Sequence, residues 1–95
     1  MSRPGRWHVE ILPSARRELL MLRRSVQNHV RDAIRSLVDD PFPTDSIAMR
    51  GKGAGLHRVR VGNFRVVYRV QAERVSVLVI RIGHRGDVYR GWEER

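Results

Sequence analysis

The stretch that decides the fold is LHRVRVGNFRVVYRVQAERVSVLVIRIGHRGDVY, residues 56–89. Its alternation predicts three strands joined by two tight turns, because successive side chains of a strand point to opposite faces of a sheet. Within residues 56–61, Arg58 and Arg60 fall on one face and the residues around them on the other. The Gly62-Asn63 pair that follows is typical of a two-residue type II′ hairpin turn.

This turn fixes the register of the first two strands by counting. The predicted cross-strand pairs are Val61 with Phe64, Arg60 with Arg65, and Val59 with Val66. Like charges directly opposite one another on a sheet are unfavourable by up to about 1 kcal/mol. A solvated face is the ordinary explanation of surface charge. An arginine cluster with Arg58 beside this pair and Arg69 further along is better explained by an anionic ligand, of which phosphate is the simplest.

Composition points to the same kind of ligand. The 95 residues carry 19 basic and 10 acidic side chains, a net charge of +9, and every basic residue except Lys52 is arginine. An excess of this size in one small domain indicates a polyanionic partner, although a coding bias towards arginine accounts for part of it. Without cysteine there are no disulfides or thiolate metal sites. The histidines lack metal-ligand spacing, so neither a metal nor a cofactor is expected.

The rest of the chain predicts a helical hairpin behind a small sheet. Residues 7–12 alternate as a first strand with Trp7, Val9 and Ile11 towards the core. A first helix follows, capped by Ser14 and ending near residue 24, and a second begins at Ser25 and stops before a proline. Residues 41–55 are expected to form a loop. The longest apolar run, residues 77–80, is far too short to span a membrane, which predicts a cytoplasmic protein without a membrane partner.

The predicted fold class is therefore α+β: a small antiparallel β-sheet, made of the N-terminal strand plus a C-terminal three-stranded meander, with an αα-hairpin packed on one face, in the order β-α-α-β-β-β. We expect a flexible N-terminus over residues 1–6, a single domain over 7–92 and a tail over 93–95. The arginines are expected on the sheet face that the helices leave free. Near the end of the chain, Tyr89 is a candidate for stacking on a base and His84 for acid or base chemistry.

Two segments give the chain a resemblance to a known family. Residues 58–68, R-V-R-V-G-N-F-R-V-V-Y, and residues 83–90, G-H-R-G-D-V-Y-R, resemble the RelE family of the RelE/ParE toxin superfamily in this order and spacing. The resemblance implies a type II toxin that cleaves mRNA at the ribosomal A site without a metal, through attack of the 2′-OH on the adjacent phosphate. It also implies an acidic antitoxin that binds the toxin in a hetero-oligomer and blocks its active face.

The resemblance also assigns roles to residues. The implied catalytic residues are Arg58, Arg60, Arg65, Arg85 and Tyr89, and the predicted RNA-binding residues are Arg69, Lys52, His84 and Arg90. Relatives have lysines where this chain has Arg58 and Arg60, and arginine is a poor general base because it stays protonated. The proton acceptor is therefore open among Tyr89, His57, His84 and water. The alternative functions are a ParE-like, gyrase-inhibiting toxin and a degenerate, non-catalytic member that binds an acidic partner.

Overall fold

The computed structural model of the protein describes residues 6–86, where two helices and five strands follow one another. Their bounds are β1 His8–Ile11, α1 Pro13–Leu20, α2 Arg24–Ser36, β2 Ser46–Ala48, β3 His57–Val61, β4 Phe64–Gln71 and β5 Ser76–His84. Short 3-10 turns occupy Gly51–Gly53 and Ala72–Arg74. Of the predicted N-terminal and C-terminal tails, only Arg6 falls within the described residues.

The five strands form one sheet in the order β1-β5-β4-β3-β2. The α+β class and the antiparallel meander of β3, β4 and β5 are confirmed. The prediction of a purely antiparallel sheet is wrong, because β1 pairs with β5 in parallel, His8 lying beside Ser76 and Ile11 beside Val79.

The parallel pairing follows from where the helices return the chain. The N–H of Trp7 donates to the carbonyl oxygen of Val38 at 2.8 Å, so the chain leaves α2 beside the start of β1. A three-stranded meander that sets out from this end of the sheet runs β3 parallel, β4 antiparallel and β5 parallel to β1. A short strand, β2, which was expected to be part of a loop, precedes the meander. Ser46–Ala48 supplies the additional strand by pairing antiparallel with β3, Ser46 beside Val59.

The helices begin and end at different residues from those predicted. Pro13 occupies the first helical position of α1, where its fixed φ suits the helix and its missing N–H costs nothing. The predicted caps are therefore wrong: Ser14 lies inside α1, and α2 begins at Arg24, before Ser25. Helix α1 ends at Leu20. Neither helix in residues 6–86 is long and apolar enough to cross a membrane.

The main core lies between the helices and one face of the sheet. Its buried members are Ala15, Leu19, Val30, Ile34 and Leu37 from the helical side and Val59, Val66, Tyr68, Val77, Val79 and Ile82 from the strands. Trp7, Val9 and Ile11 pack against this cluster, as the sequence predicted. A smaller cluster of Leu56, Val67, Met49 and Ile80 lies apart from it. The helices thus cover one face of the sheet and leave the opposite face for the arginines.

Candidate active site

The β3–β4 hairpin builds the site, and its predicted register is confirmed. Arg60 pairs with Arg65 across the two strands, and Gly62 turns the chain between them with φ of 60°. Of the two turn residues, Gly62 has a positive φ and Asn63 does not, which fits the predicted type II′ geometry. We use the term arginine face for the sheet face opposite the helices, which carries Arg58, Arg60, Arg65 and Arg69.

Arg65 is the unusual member of this face because it is only 8% exposed. Its Nη1 donates to the carbonyl oxygens of Phe64 and Gly62 at 3.1 and 3.3 Å. Its buried Nε has no hydrogen-bond partner within the described residues. Buried charges are normally paired, so the side chain is held in place with unused donor capacity. On β5, Arg65 pairs with Gly83, a position that carries no side chain to cover it.

Three of the arginines meet in a single concavity of about 330 Å³, at the low end of the range for small-ligand sites. We call it the arginine pocket; its lining residues are Arg58, Arg60, Arg65, Thr44, Asp45 and Ile47. The guanidinium groups suit the oxygens of a phosphate, which they bind in a bidentate manner. The arrangement is therefore chemically suited to a phosphate, with one carboxylate at its wall.

Hydrogen bonds to the carbonyl oxygens of Pro41 and Pro43 hold the segment that supplies Thr44 and Asp45. The hydroxyl of the fully buried Tyr68 donates to the carbonyl oxygen of Pro41 at 2.8 Å. Ser46 donates to the carbonyl oxygen of Pro43 through its N–H at 2.9 Å and through its Oγ at 2.7 Å. Burial raises the pKa of Tyr68 above its ordinary value of 10.0, so the phenol stays protonated as a donor at neutral pH.

The two histidines considered for proton transfer lie on the helix-covered face of the sheet. His57 pairs with Tyr68, and its ring stacks on the tyrosine ring at a centroid distance of 5.8 Å. Burial lowers the pKa of His57 from 6.5. His84 pairs with Phe64 and contacts its ring edge-on at 5.6 Å. Because Phe64 lies on the face opposite Arg65, neither ring lines the arginine pocket.

The remaining predicted site residues are distributed along the sheet. Arg69 is exposed and pairs with Leu78, further along β4 from the pocket. Arg85 is exposed, and its N–H donates to the carbonyl oxygen of Asn63 at 2.8 Å, which fixes its backbone beside the hairpin turn. Tyr89, Arg90 and the side chain of Lys52 lie outside the described residues.

Asp45 is the pocket residue that the sequence analysis missed. It sits in a segment interpreted as an irregular loop, just before the three-residue strand β2. A strand this short has no alternation of useful length, and prolines and glycines surround it. The available signal was the small polar and apolar run Ser46-Ile47-Ala48 between two proline- or glycine-rich stretches. It indicates an edge strand only when β3 is already known to need a neighbour.

Comparison with known proteins defines the class. Residues 9–89 match the family model described as the ParE toxin of the type II toxin-antitoxin system parDE. The chain belongs to this family of type II toxins, within the RelE/ParE superfamily. It is also similar to the toxin RelG of Mycobacterium tuberculosis, with 32% identity over 83 residues that cover 86% of this chain and 94% of that protein.

Solved structures agree on the fold. The toxin–antitoxin complex RelBE2 of Mycobacterium tuberculosis contains a chain similar to this one, with a TM-score of 0.76 and 28% identity over 83% of this chain and 98% of that one. The isolated RelE toxin of E. coli gives a TM-score of 0.70 at 21% identity, covering 82% of this chain and 83% of that one. At that identity the second likeness concerns the fold alone.

Proposed function

We propose that this toxin is a metal-independent endoribonuclease that cleaves mRNA at the ribosomal A site. The observation that carries the proposal is Arg65: a nearly buried cation, whose Nε has no hydrogen-bond partner among residues 6–86, in a pocket shared with two further arginines. A buried and incompletely paired charge does not stabilise a sheet, whereas a phosphodiester would accept hydrogen bonds from the unused donors. The resemblance of residues 58–68 and 83–90 to the RelE family supplies the identity of the substrate.

The arginines contribute positioning and charge to the chemistry. In RNA the 2′-OH next to the phosphate is a built-in nucleophile, so the protein must hold it in line with the bond that breaks. Arginines around the phosphate stabilise the negative charge that grows on its oxygens in the transition state. Arg65, Arg60 and Arg58 take this role.

Two further residues complete the proposed site. Arg85 leaves the end of β5 beside the hairpin turn, where a guanidinium is suited to the phosphate and the leaving 5′-oxygen. Tyr89 is proposed to stack on a base of the message and to splay the strand. Arg69, Lys52, His84 and Arg90 are proposed to contact the RNA around the site, and these roles rest on the resemblance.

The experiment that tests this function is cleavage of a defined mRNA with and without programmed ribosomes, with the ends mapped. We expect cuts at the A-site codon, a 2′,3′-cyclic phosphate on the 5′ fragment, and no cleavage where a 2′-deoxynucleotide replaces the attacking residue. Arg65→Ala and Arg85→Ala should lose activity, while Arg16→Ala, on the exposed side of α1, should keep it. Growth arrest with intact messages would refute the proposal.

A gyrase-inhibiting activity is the second candidate, favoured by the family model, which carries the ParE name. The two candidates separate cleanly. Inhibition of DNA supercoiling by purified gyrase, with double-strand breaks in cells and uncut mRNA, would establish the second. A third alternative, a degenerate binding protein, predicts neither toxicity nor any effect of Arg85→Ala.

We also propose that a cognate acidic antitoxin binds this chain in a hetero-oligomer. The net charge of +9 and the arginine face favour an acidic partner, and the solved RelBE2 structure is a toxin–antitoxin complex. Co-purification with a small acidic protein encoded next to the toxin is the expected result. Because exposed charges are screened by salt, the association rate should fall as salt rises. A salt-independent rate would contradict an electrostatic interface.

A further inference from the structure

The strand register places Asp45 in line with the two paired arginines. β2 and β3 pair as Ser46 with Val59, Ile47 with Arg58 and Ala48 with His57. Continuing this antiparallel register by one residue brings Asp45 opposite Arg60. Arg60 in turn pairs with Arg65. Since side chains two residues apart share a face, Asp45 lies on the arginine face with Ile47.

The carboxylate of Asp45 is exposed and lines the arginine pocket. Within residues 6–86 it forms no hydrogen bond or ion pair with a neighbouring side chain. Its backbone is nevertheless held in place. The tethers from Tyr68 to Pro41 and from Ser46 to Pro43 fix the segment immediately before it. Asp45 is thus a positioned carboxylate with its oxygens unused.

The proposed reaction needs a group of this kind. The 2′-OH must lose its proton as it attacks, and an arginine, which is always protonated, does not accept it. His57 and His84 lie on the opposite face of the sheet. Among the described residues that line the pocket, Asp45 is the one carboxylate, and carboxylates are among the side chains that act as general bases.

We propose that Asp45 is the general base of the RNA cleavage reaction, an inference that rests on the proposed function. The carboxylate takes the proton of the 2′-OH while the 2′-oxygen forms its bond to phosphorus. The bond from phosphorus to the 5′-oxygen breaks, and the 5′-oxygen takes a proton from water. Asp45 then returns its proton to solvent. Arg60 and Arg65 hold the phosphate beside it.

Single-turnover cleavage by wild type and Asp45→Asn tests the assignment, under the ribosome condition in which the wild type is active. We expect the rate of Asp45→Asn to fall by about 10²- to 10⁴-fold, the usual contribution of a general base. Its affinity for the RNA should stay equal or rise, because a negative charge leaves the pocket. Asp32→Asn, an exposed aspartate on α2, is the matched control and should cleave at the wild-type rate.

Two readouts separate proton transfer from a structural role. The pH profile of the cleavage rate should differ between the wild type and Asp45→Asn, because the variant lacks the ionisable carboxylate. Formate added to Asp45→Ala should restore cleavage, since a small carboxylate then fills the vacated position, and Asp45→Glu should retain part of the rate. Thermal unfolding of each variant identifies any loss that comes from the fold.

Each outcome decides a different claim. Cleavage by Asp45→Asn at or above the wild-type rate overturns the role of Asp45 and leaves the ribonuclease function intact. Loss of RNA binding along with rate, without rescue by formate, also overturns it in favour of a structural role. A wild type that leaves mRNA uncut, with and without ribosomes, refutes the proposed function itself and the inference with it.

Discussion

Arg65→Met separates the two reasons for which a protein keeps a buried arginine. Methionine keeps an unbranched side chain out to about the position of the arginine Nε, while it removes the charge and all five donors. Arg65 is 8% exposed, faces Arg60 across the hairpin and has an unpartnered Nε within the described residues. If the residue serves a ligand, its removal should cost activity and little stability. If it serves the fold, the reverse should hold.

The contacts of Arg65 give the expected magnitudes. The variant relieves an unsatisfied buried donor, worth about 1–3 kcal/mol, and a like-charge pair, worth about 0.2–1 kcal/mol. It loses two hydrogen bonds to the carbonyls of Gly62 and Phe64, together about 1–3 kcal/mol. The two ranges overlap, about 1–4 kcal/mol relieved against about 1–3 kcal/mol lost, so the free energy of unfolding should fall by less than about 2 kcal/mol. Losing a charged hydrogen bond to phosphate costs about 1.5–3 kcal/mol, or about 10- to 150-fold in cleavage rate.

Urea unfolding and the mRNA cleavage assay measure the two quantities on the same preparation. Arg16→Met makes the same chemical change on the exposed side of α1 and should alter neither stability nor cleavage. Removing one partner of a buried ion pair destabilises a protein by about 3–5 kcal/mol. A loss of that size in Arg65→Met, with cleavage otherwise intact in the remaining folded fraction, would refute the claim that this arginine is kept for a ligand.

Three further variants test the supports of the site. Tyr68→Phe should destabilise by about 1–3 kcal/mol in urea unfolding, because the buried carbonyl of Pro41 loses its donor, and should slow cleavage. The lowered pKa of His57 means that the unfolded chain binds the proton of this residue more tightly than the folded chain does. As the pH is lowered past about 6.5, the free energy of unfolding should therefore decrease, by at most about 1.4 kcal/mol per pH unit. His57→Phe should lack this decrease. Gly62→Ala should cost about 1–2 kcal/mol for its positive φ, whereas Gly86→Ala, with open space around it, should melt like the wild type.

The sequence was most informative where the chain has least freedom. A two-residue turn with glycine first admits one register, so the pairing of Arg60 with Arg65 followed from counting and is confirmed. The orientation of core side chains in β1 followed equally from its alternation. Both are local consequences of a period of two residues, and neither depends on where the rest of the chain goes.

The features that the sequence did not predict depend on contacts between distant segments. β2 is three residues long and exists because the edge of β3 offers it hydrogen-bonding partners, a condition that no window around residue 46 contains. The direction of β1 relative to β5 depends on the return of the chain after α2 to the start of β1, where Trp7 bonds to Val38. Asp45 went unnoticed for the same reason: it is an ordinary loop aspartate until the register carries it beside Arg60. The missing element of the fold and the missing element of the site are thus one omission.

The two faces of the sheet explain how the fold tolerates a cluster of like charges. Most of the buried apolar side chains lie on the helical face, and the smaller cluster around Val67 and Ile80 covers the arginine face away from the hairpin turn. The row of Asp45, Arg60 and Arg65 lies beyond that cover, towards the turn. Charges grouped there repel one another without disturbing the core on either side. This separation is why substitutions in the arginine pocket should change chemistry in a protein that remains folded, and why the variants proposed above are informative.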